Sequence, residues 1–263
     1  AGPLLVAARL ADVRRHEAGV AKRLDHDAVH DMRVATRRLR AALKLFAAPR
    51  ALDRDVKRLQ DALGDVRDVQ VQLAWLAETD ERLRGPERAR MRAWIAAPLD
   101  RHVAALRDAL AAWSRDTAPE AETAARAVTG RRPLGGKKMR KELARRTRRV
   151  ARLAARARAD PAPRTAHELR IAAKKLRYTA ELLEAGLPGE VGALLSALVP
   201  LQETLGALHD ADVRVERLGR LAEEGEALER RAAARLLELL APERERLAAE
   251  LVAELETLGT LSA

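Results

Sequence analysis

The chain has 263 residues, with 50 Lys plus Arg against 39 Asp plus Glu and no cysteine. Zero cysteine excludes disulfides, thiolate nucleophiles and thiolate metal sites, while a net charge of +11 favours a polyanionic partner. Apolar residues reach 48% and aromatics only 2%, so the chain is rich in helix formers, poor in strand formers and predicted to be all-α.

The predicted elements are long helices separated by proline, glycine and aspartate. The first runs from Leu4 to Leu24, before Asp25, His26 and Asp27, and the second from Ala28 to Ala48, stopped by Pro49. The third covers Leu52 to Glu78. Pro86 opens a fourth, which runs to about Trp113 with a kink at Pro98. From Ser114 to Gly136 the pattern breaks, with room for a short helix from Glu120 to Val128. Helical spacing resumes from Lys137 to Arg158. Thr165 to Glu168 reads as a capping box for a helix running to Ala185, with Gly186 at its end. Gly189 to Glu224 and Glu226 to Leu258 complete the chain, the latter interrupted by Pro242. The expected organisation is one domain, 1–263, made of a helical half 1–115, a linker 116–136 and a second helical half 137–263. No apolar run approaches the roughly 20 residues of a membrane span, and Ala1 to Leu10 lacks a signal-peptide pattern, so the expected location is cytoplasmic.

The chain also repeats itself. His30-Asp-Met-Arg33-Val-Ala-Thr-Arg37-Arg38-Leu-Arg40 reappears as His167-Glu-Leu-Arg170-Ile-Ala-Ala-Lys174-Lys175-Leu-Arg177. Leu59-Gln-Asp-Ala-Leu-Gly64, with Asp68 following, reappears as Leu201-Gln-Glu-Thr-Leu-Gly206, with Asp210 following. Two motifs in one order at nearly one offset indicate an internal duplication. Each half then holds about four helices, which predicts two pseudo-symmetric antiparallel four-helix bundles.

At about 100° per residue, His30, Arg33, Arg37, Arg40 and Lys44 fall within roughly 80° of one helix face. Met32, Ala35, Leu39, Ala42, Leu43 and Phe46 take the opposite side. The second copy places His167, Arg170, Lys174 and Arg177 identically, and Glu181 stands where Lys44 would be. Arg38 and Lys175 project sideways in both copies. A merely solvated face alternates sign, because like charges at i,i+4 destabilise a helix. This stripe holds no acid across its first four positions, twice, so it reads as an anion site. Arg supplies planar paired donors to phosphate, Lys a mobile point charge, and His a donor that strengthens on protonation. The helix from Lys137 adds a second basic stripe, Lys141, Arg145, Arg148 and Arg152, with Glu142 as its only acid. By contrast, Arg214 to Ala263 carries more acids than bases. The Leu-Gln-x-x-Leu-Gly segment reads as structural. Leu59, Leu63 and Val66 form an apolar stripe, Gly64 or Gly206 admits a neighbouring helix, and Asp68 and Asp210 orient the arginines.

The duplicated His-x-x-Arg-x-x-x-(Arg/Lys)-(Arg/Lys)-Leu-Arg motif and the duplicated Leu-Gln-x-x-Leu-Gly motif together resemble the conserved histidine α-helical domain (CHAD) family. The resemblance spans about Leu4 to Leu258 and rests on four motifs in order. It implies two helical bundles with a basic central groove or pore that binds inorganic polyphosphate, and association with polyphosphate granules. The ligands it implies are His30, Arg33, Arg37, Arg38 and Arg40, then His167, Arg170, Lys174, Lys175 and Arg177. Lys44, Lys141, Arg145, Arg148 and His209 join them as candidates by charge. Family members are often fused to a triphosphate-tunnel hydrolase domain, and no acidic β-barrel pattern of that kind accompanies these motifs. A stand-alone, non-catalytic binding module with no cofactor and no metal is the expectation.

Two rival readings compete. A metal-dependent phosphohydrolase would use His209, Asp210 and His167, but the other half offers Arg67 at the matching place, and arginine does not ligate metal. His16, His26 and His102 show no ligand spacing, and Ser114, Ser196 and Ser262 lack the setting of a catalytic triad. A nucleic-acid binder would use the basic helix from Lys137, yet base stacking needs exposed aromatics. Only Trp75, Trp94, Trp113, Tyr178 and Phe46 are available, and the tryptophans sit among apolar neighbours that suggest a core.

Overall fold

The computed structural model describes residues 2–46, 49–127, 136–160, 162–184 and 187–260, and among them every regular element is helical. The helices are α1 (Gly2–Arg23), α2 (His26–Leu45), α3 (Arg50–Thr79), α4 (Gly85–Ala96), α5 (Leu99–Ala112), α6 (Ala118–Ala127), α7 (Gly136–Ala159), α8 (Pro163–Leu183), α9 (Pro188–Glu224) and α10 (Ala227–Thr260). Both His-x-x-Arg motifs therefore lie on α2 and α8, and both Leu-Gln-x-x-Leu-Gly motifs on α3 and α9.

The chain divides into two compact units: Ala1–Glu81 with Arg92–Leu134, and Arg82–Met91 with Gly135–Ala263. In the first, α2 packs between α1 and α3, α5 lies on α3, and α6 lies on α1. Its core includes Val13, Val29, Met32, Leu39, Leu43, Leu52, Leu59, Leu63 and Leu106, each almost wholly shielded from water. Burying each such side chain contributes about 1.5–3 kcal/mol before entropy is counted. In the second unit α7, α8, α9 and α10 form a closed ring of neighbours, α10 returning to α7. Leu169, Leu176, Leu183, Leu201, Leu205, Leu236 and Leu251 fill it.

Several boundaries depart from the sequence expectation for identifiable reasons. Pro98 does not kink one helix but separates α4 from α5, since it cannot donate to the preceding turn. Residues 116–136 are not a linker throughout. A single π turn, Trp113–Thr117, leads directly into α6, where Ala118, Ala121 and Ala125 are buried. Thr165 does not cap α8, because Pro163 already starts it. Thr165 Oγ1 instead donates to the carbonyls of Asp160 (2.5 Å) and Ala162 (2.8 Å). Asp25 does cap α2, its carboxylate accepting from the Ala28 N–H at 2.7 Å. Helix α10 runs on through Pro242, as α9 does through Pro200. Both prolines are exposed, so water can satisfy the carbonyl each leaves without a partner. The expected Gly186 cap and the ends of α2 and α8 at Ala48 and Ala185 lie outside the described residues. Helix α9 is long and apolar enough to cross a membrane by composition alone, contrary to the reading of the sequence. Here it packs against α8 and α10.

The expected first half is also not continuous. Arg82–Met91 belongs to the second unit, where buried Glu87 accepts from Arg235 Nη1 (2.9 Å) and from the Arg84 N–H (3.1 Å). Arg90 returns the exchange by donating to Glu229 Oε1 (2.8 Å) and pairing with Glu226 (2.9 Å). Each buried carboxylate is thus both paired with an arginine and bonded to a helix-start amide, which offsets its desolvation.

Candidate anion-binding site

The apolar positions of α2 and α8 hold these helices in their bundles and so turn their basic residues the other way. On α2, Met32, Ala35, Leu39, Ala42 and Leu43 are buried as expected, and Phe46 is only half-buried. On α8, Leu169, Ala172, Leu176 and Leu183 are buried, joined by Ala173 and Ala180. His30 is exposed, and Arg33, Arg37, Arg38 and Arg40 are half-buried along α2; His167 and Lys175 are exposed, and Arg170, Lys174 and Arg177 are half-buried along α8.

The two stripes end differently from the expected open row of cations. Arg40 is engaged: Nε donates to Asp53 Oδ1 at 2.8 Å, and Nη1 donates to Gln60 Oε1 at 3.1 Å. Lys44 lies 3.4 Å from the same Asp53. Arg177 pairs with Glu181 at 3.3 Å and stands over the Tyr178 ring, 5.4 Å from its centroid. So the last arginine of each motif is neutralised by a carboxylate, from α3 in one unit and from the next turn of α8 itself in the other. On α7, Arg145 is clamped to Glu142 (2.6 and 2.9 Å), which also accepts from Arg146. Those arginines hold the Glu142 carboxyl below its usual range against the opposing effect of burial. Lys141 and Arg148 are exposed on α7.

At the His end the like charges crowd. Arg67 of α3 reaches toward the start of α2, its Nη1 3.4 Å from the His26 carbonyl. Burial and the nearby Arg33 guanidinium lower the Arg67 pKa, while Asp27 and Asp68 oppose them. His30 is pushed below the ordinary imidazole value, first by burial, then by Arg67 and Arg37, with Asp31 opposing. Gly64 faces Arg33: a Cβ at residue 64 would sit in ordinary contact, 3.4 Å from Arg33 Nε. Gly64 thus faces a side chain, and Gly206 faces open space. In the second unit His209 of α9 lies with its Nδ1 3.4 Å from His167 Nδ1, the ring centroids 4.9 Å apart. Burial, Arg170, His167 and Lys174 push His209 down to about 4, against Asp210.

The sequence placed Arg67 opposite His209 in the repeat without giving it a binding role, and it gave no sign of Asp53. Arg67 was detectable, because it takes the place of His209 in the repeated motif. Asp53 was not, because the second copy has Leu195 there. No group of three or more metal-binding side chains occurs among the described residues. Trp75, Trp113 and Tyr178 are buried, and the Trp113 indole donates to Glu17 at 2.6 Å, so none of these three offers a stacking face.

No curated protein matches the sequence. The crystal structure of the CHAD domain from the plant Ricinus communis is similar, with a TM-score of 0.74 and 25% identity over 97% of this chain and 90% of that one. The CHAD domain profile matches residues 4–219. That span includes α2, α3, α8 and nearly all of α9, hence all four motifs, and the chain accordingly belongs to the CHAD-domain family.

Proposed function

We propose that this protein binds inorganic polyphosphate without turning it over, through the basic faces of α2 and α8 and the residues that flank them on α3 and α9. The observation that carries this reading is the gathering of cations at the histidine end of each stripe, Arg67 beside His26 and Arg33, and His209 beside His167. Burial lowers the proton affinity of Arg67 in one unit and of His209 in the other, and Arg33 beside the first and Arg170 and Lys174 beside the second lower it further. Such crowding disfavours the free protein and is relieved when an anion binds. A flexible chain with a charge on every phosphate suits a surface of arginine, lysine and histidine that has no aromatic platform. Its expected contacts are His30, Arg33, Arg37 and Arg38 with Arg67, and His167, Arg170, Lys174 and Lys175 with His209. Arg40, Lys44, Arg145 and Arg177 act instead through their carboxylates, holding helices in place. Granule association and a cytoplasmic location follow from this reading.

The testing experiment is competition. Long-chain polyphosphate, duplex DNA and single-stranded DNA are titrated against the protein at matched phosphate concentration. Polyphosphate is expected to displace both nucleic acids; displacement in the opposite order overturns the assignment in favour of a nucleic-acid ligand. Release of orthophosphate with a divalent metal present would make the protein an enzyme.

A further inference from the structure

The two units place different residues at one position of the same motif. Arg67 in α3 and His209 in α9 each follow the Leu-Gln-x-x-Leu-Gly segment immediately before an aspartate, Asp68 or Asp210. Each lies beside the N-terminal part of its neighbouring basic helix: Arg67 beside His26 and Arg33, His209 beside His167. We propose that Arg67 and His209 are matched phosphate contacts of unequal kind: Arg67 is charged before the anion arrives, whereas His209, held beside His167, becomes charged by taking up one proton as the anion binds.

This inference rests on the polyphosphate reading and adds to it which residues make contact and how the second unit responds to pH. The geometry of the pair sets the proton count. With both rings neutral, one Nδ1–H can donate to the other Nδ1 across 3.4 Å. In that arrangement one ring keeps an Nε2–H and the other an Nε2 lone pair. A single proton from solvent, added at that lone pair, leaves the Nδ1 contact intact and makes both Nε2 atoms donors. A second proton would put two N–H groups face to face and break the contact.

Burial first, and then the surrounding charges, keep His209 neutral when free. From α8, Arg170 and Lys174 face His209; on α9 itself Asp210 opposes them. From α10, Arg244 holds Asp212 at 2.6 Å, and Glu254 accepts from Thr204, so those acids are committed. From α7, Arg156 reaches Glu168 beside His167 at 3.4 Å. Arg170, His167 and Lys174 add to burial in holding the proton off His209, and a bound phosphate acts in the opposite sense. The sign follows: free His209, held at about 4, is neutral near pH 6, and on the proposed reading complexed His209 is protonated there. Affinity therefore rises as pH falls from 8 toward 5, by up to about tenfold per pH unit for one proton taken up. His30 adds a smaller contribution of the same sign in the first unit, because it too is held down.

The test is isothermal titration of long-chain polyphosphate at pH 6.5 in buffers of different ionisation enthalpy, which counts protons taken up on binding. Wild type is compared with His209→Arg and Arg67→His, each checked for helicity by circular dichroism. The expected result is lower proton uptake and a flatter pH profile in His209→Arg, and higher uptake with a steeper profile in Arg67→His. Arg67→His is also expected to bind about tenfold more weakly at pH 8. Binding with equal proton uptake in all three proteins overturns this inference and leaves the polyphosphate reading standing. No binding by wild type at any pH overturns both.

Discussion

The α2–α3 pair and the α8–α9 pair carry one pair of motifs and use them unequally. In the first, Arg40 is tied across to α3 through Asp53 and Gln60, and the His end is reinforced by a permanent guanidinium, Arg67. In the second, the equivalent Arg177 is tied along its own helix to Glu181, and the His end is reinforced by a second imidazole, His209. Matching motifs therefore do not mean matching charges. What both copies keep is a crowd of cations near the histidine and an acid at the far arginine, so the proposed contacts run from His30 to Arg38 on α2 and from His167 to Lys175 on α8.

The largest expected effect tests that location. Arg33→Gln with Arg37→Gln, or Arg170→Gln with Lys174→Gln, removes two charges from one cation crowd. Each double variant is expected to lose roughly a hundredfold or more in polyphosphate affinity, since charge-assisted contacts contribute about 1.5–3 kcal/mol apiece. The matched control is Arg101→Gln with Arg107→Gln on the exposed side of α5, expected to lose far less. Equal losses measured by fluorescence titration would reduce the site to general basicity. The same titrations repeated across salt concentrations give a second number. By analogy with single-stranded nucleic acid, the log–log slope is expected to fall by about 0.7 for each phosphate contact removed.

A smaller effect separates structural from binding arginines. Arg40→Gln leaves the partly buried Asp53 with only Lys44, and is expected to cost about 1–3 kcal/mol in urea unfolding with little change in affinity. Arg177→Gln is expected to cost less, because Glu181 lies on the same helix and an i,i+4 pair contributes only about 0.2–0.5 kcal/mol. A large affinity loss in Arg40→Gln would return that residue to the binding set.

Acid stability sharpens the same contrast. Unfolded His209 takes a proton below about pH 6.5, but the folded residue does so only near 4, so the unfolded state binds more protons in between. Stability is therefore expected to be full above that range and to fall as pH drops from 6.5 to 4. His209→Gln is expected to flatten this part of a melting-temperature profile, and an unchanged profile would contradict the depressed imidazole. The smallest effect concerns the two glycines. Gly64→Leu is expected to displace the Arg33 guanidinium and weaken binding several-fold, whereas Gly206→Leu, facing open space, is expected to leave it nearly unchanged.

Composition and periodicity alone determined the helical class, most helix bodies, the buried faces of α2 and α8, and the candidate stripe. These are local properties: a 3.6-residue repeat of apolar side chains can satisfy itself only by burying one side of a helix. The duplicated motifs also determined which helices carry the basic residues and, through the position of His209, could have pointed to Arg67. Tertiary structure alone decided which cations are neutralised. Asp53 and Arg40 are thirteen residues apart on different helices, and nothing in their spacing brings them within 2.8 Å. It also decided that Arg82–Met91 belongs to the second unit, since the ion pairs with Arg235 and Glu229 join residues distant in the chain. A sequence records the number and order of charges, but whether a given charge is available to a ligand depends on which distant carboxylate reaches it first.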